Sequence, residues 1–303
     1  MLAAYTGELA ALATATLWTF SSLFFTIGGQ RVGAFAVNRM RLIFAVLLVG
    51  LTHWLMFGQP FPTEAGAYRI FWLGMSAIVG LVIGDTLLFQ CYVMVGTRIG
   101  VLMFVLGPPF GALLSWLFLG ESMAPIELVA MALVLGGVLW VVLERQAGQT
   151  ETASARRNYA VGILFGVLAQ LCQQANLVMS KQGLAGGYPA LSGVMIRMVV
   201  GLIAIWLLAV LQREALRTIR RVRADGRAAA AILGGAFCGP FLGVWMSLIA
   251  VQSSRVGVAS TLMALTPVIS LPIVHFVLKE HISSRAILGT LVAMSGVALM
   301  VLH

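Results

Sequence analysis

Asp85 is the only carboxylate near the middle of any long apolar run in this sequence. An ionisable group there is costly to bury and marks a functional hypothesis: a partner for a substrate ammonium, or a carrier of a coupling proton. The alternative is a carboxylate that hydrogen-bonds a neighbouring helix. Asp85, Phe89 and Tyr92 recur at helical spacing, so a charge, a ring and a hydroxyl share one face. A second run carries Gln170, Gln173, Gln174 and Asn176. Four amides in lipid need partners, and a wet cavity accommodates so many better than interhelical glue does. Trp18 and Ser22 stand four apart, Trp245 and Gln252 seven apart, and Ser260 lies in a later run. The candidate cavity set is therefore Trp18, Ser22, Asp85, Phe89, Tyr92, Gln170, Gln174, Trp245 and Ser260. Pro108, Pro240 and Pro267, with Pro109 and Pro272 beside them, interrupt apolar runs. Proline frees a carbonyl and bends a helix, so these are candidate gating bends.

Arg41 and Arg197 fall near the starts of two runs, where long stems ordinarily snorkel to the interface. That reading is preferred for both over substrate contact. His275 could titrate near neutral pH, but a lone histidine near a helix end reads first as an interhelical donor.

The elements that must position these groups follow from composition. Of 303 residues, 60% are hydrophobic and only 10% charged, against about 25% charged in a soluble domain. The solvent must largely be lipid. The net charge of +9 is spread through short connections between apolar runs, which excludes a nucleic-acid-binding face and fits the positive-inside rule. Cys91, Cys172 and Cys238 lie inside apolar runs and suggest neither disulfides nor a metal centre. No zinc-protease motif, nucleophile elbow or second mid-run aspartate is present, and one carboxylate cannot run acid/base chemistry alone. No enzyme, cofactor or metal is expected. The partners expected are a small-molecule solute and membrane lipid, with the chain a monomer. The first apolar run lacks a basic lead-in and reads as a retained span.

Runs of about 20 apolar residues predict ten membrane helices, over 7–28, 34–57, 70–95, 98–119, 123–143, 159–182, 189–211, 228–251, 256–278 and 284–302. The polar linkers are 144–158 and 213–227. Thirteen basic residues, Arg31 to Arg285, fall in the connections after spans one, three, five, seven and nine, against Arg69, Lys181 and Arg255 on the alternate side. The positive-inside rule then puts both termini outside.

The two halves overlay at an offset near 157. Arg41 matches Arg197, Arg98-Ile-Gly-Val matches Arg255-Val-Gly-Val, Leu106-Gly-Pro108 matches Leu265-Thr-Pro267, Gly120-Glu121 matches Lys279-Glu280, and Gly137-Val138 matches Gly296-Val297. Five spans per unit is an odd number, so the second copy inserts upside down. Inverted repeats place a pseudo-two-fold axis in the membrane plane and a solute site at their interface, the architecture of alternating access. Residues 1–143 form the first repeat, 144–158 the linker and 159–303 the second repeat. The position matching Asp85 is apolar, near Leu242.

These motifs resemble the EamA-type half of the drug/metabolite transporter superfamily. The resemblance rests on Leu17-Trp18 with Ser21-Ser22-Leu23-Phe24, on Arg41-Leu-Ile-Phe-Ala45, and on Gly84-Asp-Thr-Leu-Leu-Phe89 through Thr97-Arg-Ile-Gly100. Leu106-Gly-Pro-Pro109, Gly120-Glu121 and the second-half counterparts from Arg255-Val-Gly-Val-Ala-Ser260 onward complete it. The chain looks most like bacterial YddG-type amino-acid exporters. The resemblance implies an all-α membrane fold with ten helices around a central cavity, a multi-pass place in the inner membrane, and cytoplasmic termini, opposite to the loop charges. The scarcity of mid-span arginine and lysine argues against a sugar-phosphate carrier, which needs cations for phosphate.

Overall fold

The computed structural model describes residues 5–119, 125–147, 153–254, 256–270 and 284–301. Glu121, Arg255, Pro272, His275, Lys279 and Glu280 lie outside them. Every regular element among the described residues is helical, as lipid requires of a chain whose backbone must bond within each span.

Helix α1 spans Thr6–Val32 and α2 Ala34–Phe57. Between them Gly33 takes φ +90°, a conformation that glycine adopts without steric cost. Helix α3 runs over Gly66–Val95. Span four is broken into α4 (Thr97–Leu102), a 3₁₀ turn (Met103–Leu106) and α5 (Gly107–Leu119). Helices α6 (Pro125–Ala147), α7 (Ala153–Gly183) and α8 (Ala190–Leu211) follow. A short basic helix, α9 (Ala215–Ala224), precedes α10 (Gly226–Ser253), and α11 (Val256–Met263) and α12 (Ser284–Val301) close the order. Six of these, α1, α2, α3, α7, α8 and α10, are long and apolar enough to cross a membrane.

The packing obeys a two-fold relation between halves. Helix α1 packs on α10, and its counterpart α7 packs on α3. Counterparts α2 and α8 pack on each other, as do α6 and α12. At the last pair a Cβ on Gly137 would come 2.5 Å from the Ala293 nitrogen and 2.6 Å from the Gly289 oxygen. Its repeat mate Gly296 stands 2.6 Å from the Ala130 oxygen and 2.9 Å from the Val134 nitrogen on the same measure. The contacts run in opposite sequence directions, as antiparallel helices related by a two-fold axis must. Small residues permit such backbone contact in lipid, where hydrophobicity does not drive helices together.

Connections join only where alternation of spans permits. Arg31, in the last turn of α1, donates to Asp225, before α10, at 2.7 Å. On the opposite face His53, near the end of α2, meets Ser192, near the start of α8, at 2.9 Å. Lys181, at the end of α7, meets the Ser254 carbonyl, after α10, at 3.3 Å.

Both α3 and α10 contain a seven-residue π-helical stretch, Ile78–Gly84 and Phe237–Gly243. Each holds a Gly-x-x-x-Gly pair, Gly80/Gly84 and Gly239/Gly243, and the offset is 159. π-Bulges of this kind gather at functional sites. The structural mate of Asp85 is accordingly Val244, two residues beyond the position inferred from the sequence offset.

The prolines sit where the helices are irregular. Pro108 and Pro109 occupy the first turn of α5, where a missing N–H costs no helical bond, so they start a helix rather than kink one. Pro240 lies inside the π-helical stretch of α10. Pro267 follows a break at 264–265 and is the second of the helical residues 266–270.

Candidate functional site

Where α1, α2, α3, α7, α8 and α10 converge, they enclose a narrow cavity of about 60 Å³, enough for a few waters. Trp18, Ser22, Asp85, Phe89 and Tyr92 line it, and so do Arg41, Gln173, Asn176 and Arg197. A smaller space of about 20 Å³ adjoins it and holds Gln170, Gln174 and Ser260. Trp18 and Phe104 line both, their rings stacked with centroids 5.5 Å apart. Of the nine residues proposed for the cavity, Trp245 lines neither space. It is half-buried against Phe241, centroids 6.2 Å apart. Val244 and Ser247, on another face of α10 just beyond its π-helical stretch, line the cavity instead.

The two arginines overturn the snorkelling expectation. Both are 2% exposed. Arg41 lies seven residues into α2, about 10 Å along its axis, and its guanidinium meets an acidic partner there. It donates through Nη2 to Asp85, through Nε to the Asn38 side chain at 2.8 Å, and to the Leu81 carbonyl in the π-helical stretch at 3.3 Å. The faces of Phe89 and Phe25 flank it at 5.0 and 5.7 Å, a geometry attractive to a cation. Asn38 in turn donates to Thr86 at 2.7 Å and Leu81 at 3.1 Å.

From Asp85 the polar chain continues across the halves. Gln173 donates to Asp85 Oδ1 at 2.7 Å, and Asn176 donates to the Gln173 oxygen at 2.9 Å. Arg197 donates to Asn176 Oδ1 at 2.6 Å and to Ser180 at 2.7 Å. Gly80 makes this possible: a Cβ there would stand 2.7 Å from the Asn176 side chain. Asp85 therefore bonds to neighbouring helices α2 and α7, the alternative weighed for it from sequence. Breaking such a buried pair by removing one partner costs about 3–5 kcal/mol.

In the smaller space Ser260 donates to Gln174 Oε1 at 3.1 Å, while Gln170 Nε2 is buried without a partner among the described residues. Glycines again set the approach, because Gly107 stands where a Cβ would meet Gln174 Nε2 at 2.8 Å. The amides of α7 thus serve two spaces on adjacent faces of one helix. Sequence reading did not place Arg41, Asn38, Ser180 or Arg197 in the site. The available signals were the spacings Asn38–Arg41 and Asn176–Ser180, three and four residues, which put polar pairs on single faces inside spans. With two arginines in the cavity, the argument from scarce cations against a sugar-phosphate carrier loses its premise.

Among the described residues no group of three or more histidine, cysteine or acidic side chains is gathered as a metal would require. A wider space of about 370 Å³ opens at the face bearing His53, Arg69 and Tyr188, where Arg69 lies 4.7 Å over the Tyr188 ring.

The EamA-like transporter family model matches the chain twice, over residues 5–143 and 160–302. The chain belongs to the EamA-like transporter family. Membership makes it a multi-pass membrane protein of a family that moves small molecules, with two repeats of one architecture. A solved structure titled only as the crystal structure of a protein has the same fold, with a TM-score of 0.71 at 18% identity. The match covers 98% of this EamA-like chain and 96% of that one. No curated protein matches the sequence.

Proposed function

We propose that this EamA-like chain exports amino acids or similar small metabolites across the bacterial inner membrane, as a monomer of ten spans working by alternating access. The halves that exchange conformation are residues 1–143 and 159–303, with 144–158 as linker. The observation that carries the reading is the polar cavity enclosed where the halves meet, into which the repeat mates Arg41 and Arg197 both project. Inverted-repeat transporters hold their cargo at that place. Aromatic walls from Trp18, Phe25 and Phe89 suit a variable apolar side chain, and the charged and amide groups suit a zwitterion's polar end. At about 60 Å³ the cavity is far below the ~300–1,000 Å³ of ordinary ligand pockets, so the helices must part to admit a solute larger than a few waters. Asp85 is engaged by Arg41 and Gln173, which favours a role in holding the cavity over that of a free proton carrier.

Counterflow of labelled amino acids in proteoliposomes tests the proposal. Uptake above empty liposomes for at least one amino acid, abolished by Arg41→Ala, is the expected result. No uptake of any amino acid would refute it.

A further inference from the structure

Arg41 and Arg197 are repeat mates, but the second half lacks what the first half supplies to its arginine. Asn38 corresponds to Val194 at the same offset as the arginines, and Asp85 corresponds to Val244 at the offset of the two π-helical stretches. Val244 lines the same cavity as Asp85. Arg197 has turned to two neutral acceptors on α7, Asn176 and Ser180. Among the described residues its Nε is buried with no hydrogen-bond partner, and the residue is 2% exposed. Among the described residues the cavity thus holds two guanidinium groups and one carboxylate, and Arg41 is the one paired with it.

A buried, unpartnered donor on a cation is expensive, and an ionised arginine inside a membrane protein calls for a counter-charge. We propose that the cargo supplies it: the Arg197 guanidinium binds the carboxylate of a monoanionic or zwitterionic solute, which stands beside Val244, where the first half has Asp85. This deepens the exporter reading and rests on it. One unpaired cation matches one negative charge, which favours a carboxylate over a phosphate dianion. The chemistry suits arginine, whose charge-assisted bonds to carboxylates are among the strongest available.

The test uses the full chain in nanodiscs. Ligand affinity is measured for L-amino acids and simple monocarboxylates of several side-chain sizes, each beside its primary amide, with inorganic phosphate as a further probe. The acids are expected to bind at least tenfold more tightly than their amides, with phosphate weaker still. Arg197→Gln should bring that ratio close to one, and Arg197→Lys should keep part of it. Val244→Asp rebuilds the missing carboxylate inside the protein and should weaken acid binding at least tenfold more than Val244→Asn does. If Arg197→Gln does not fold, the lysine variant and the Val244 pair decide.

Amides that bind as well as acids, or an acid preference that survives both Arg197→Gln and Val244→Asp, would overturn the proposal. So would phosphate binding as tightly as the acids, or no acid binding at all. These binding measurements do not depend on transport. Arg197-dependent acid binding without uptake in liposomes would remove the exporter reading and leave this one standing. Uptake without an acid preference would do the reverse.

Discussion

Gln173 joins Asp85 to Asn176, donating to the carboxylate and accepting from the Asn176 amide, and so ties the arginine of the first half to the arginine of the second. The chain Arg41–Asp85–Gln173–Asn176–Arg197 crosses from one repeat to the other through side chains. Any motion that opens the cavity by separating α3 from α7 must break or stretch it.

The first prediction concerns its acidic member. Asp85→Asn keeps the size of the side chain and removes the ion pair, leaving Arg41 buried without a counter-charge. Loss of about 3–5 kcal/mol of stability is expected from breaking one side of a buried pair, and Asp85→Leu with Arg41→Met should recover most of it. Thermal unfolding in detergent measures both. Transport indifferent to a pH gradient in the parent protein, yet lost in Asp85→Asn, would assign the residue to cavity architecture. A pH-driven component abolished by the same variant would assign it to coupling.

Gly137 and Gly296 give a second prediction, because their contacts are symmetric and lie on one helix pair. A methyl at either position meets backbone atoms at 2.5–2.6 Å, which no rotamer change relieves. Each Gly→Ala variant should destabilise the protein by about 1–3 kcal/mol, the range for overpacking. The double variant should cost less than the two together, since one separation of α6 and α12 relieves both contacts. Strict additivity in thermal unfolding would show that the two glycines act independently.

How far the sequence foretold this depends on the kind of feature. Helices and their alternation were readable because lipid leaves the backbone no other arrangement, and the repeat showed in Arg41/Arg197 and Gly137/Gly296. The Asp85–Phe89–Tyr92 face was readable from spacing alone. The arginines were misassigned because depth was counted from the ends of apolar runs. Arg41 is held inside by Asp85, 44 positions away, a pairing that no local pattern reveals. Trp245 lines neither space: its spacing to Gln252 put the two on one face without telling which way that face points, and Val244 and Ser247 form the wall instead, just beyond the π-helical stretch Phe237–Gly243 that mates with Ile78–Gly84. Even the mate of Asp85 moved from Leu242 to Val244 once those stretches could be aligned.

Asp225 supplies a pH dependence outside the membrane. The Ala228 N–H first, and then the Arg31 guanidinium, hold its carboxyl below the usual carboxylate range. It caps α10, accepting from Ala228 N at 3.0 Å, and bridges to Arg31 at the end of α1. A depressed folded-state value means that the ionised form is the stabilising one. The contribution is therefore present above the unfolded value near pH ~4 and lost as pH falls through the lower folded value. Asp225→Ala should lower the unfolding temperature at neutral pH, and its difference from the parent should shrink as the buffer is taken below about pH 4. A difference that stays constant across that range would mean the carboxylate charge is not what matters.

Trp18 is placed to separate the two spaces. It stacks on Phe104 and is admitted by Gly243, where a Cβ would meet the indole at 2.8 Å. Removing the indole would join the charged cavity to the space holding Gln170, whose side-chain nitrogen lacks a partner among the described residues. Trp18→Ala should therefore widen the range of solute sizes accepted while weakening affinity for the preferred solute by about tenfold, roughly 1.4 kcal/mol. Phe104→Ala should act in the same direction. The double variant should add little, because either ring alone leaves the divide open. Competition by solutes of increasing side-chain volume in the counterflow assay measures this directly. If the volume dependence is unchanged in both variants, the stack packs the helices and does not divide the cavity. Gly243→Ala approaches the ring from α10: its Cβ would meet the Cys238 carbonyl at 2.7 Å and the indole at 2.8 Å, so it should lower stability and, if the position of the ring controls the passage, shift the solute-size dependence as Trp18→Ala does.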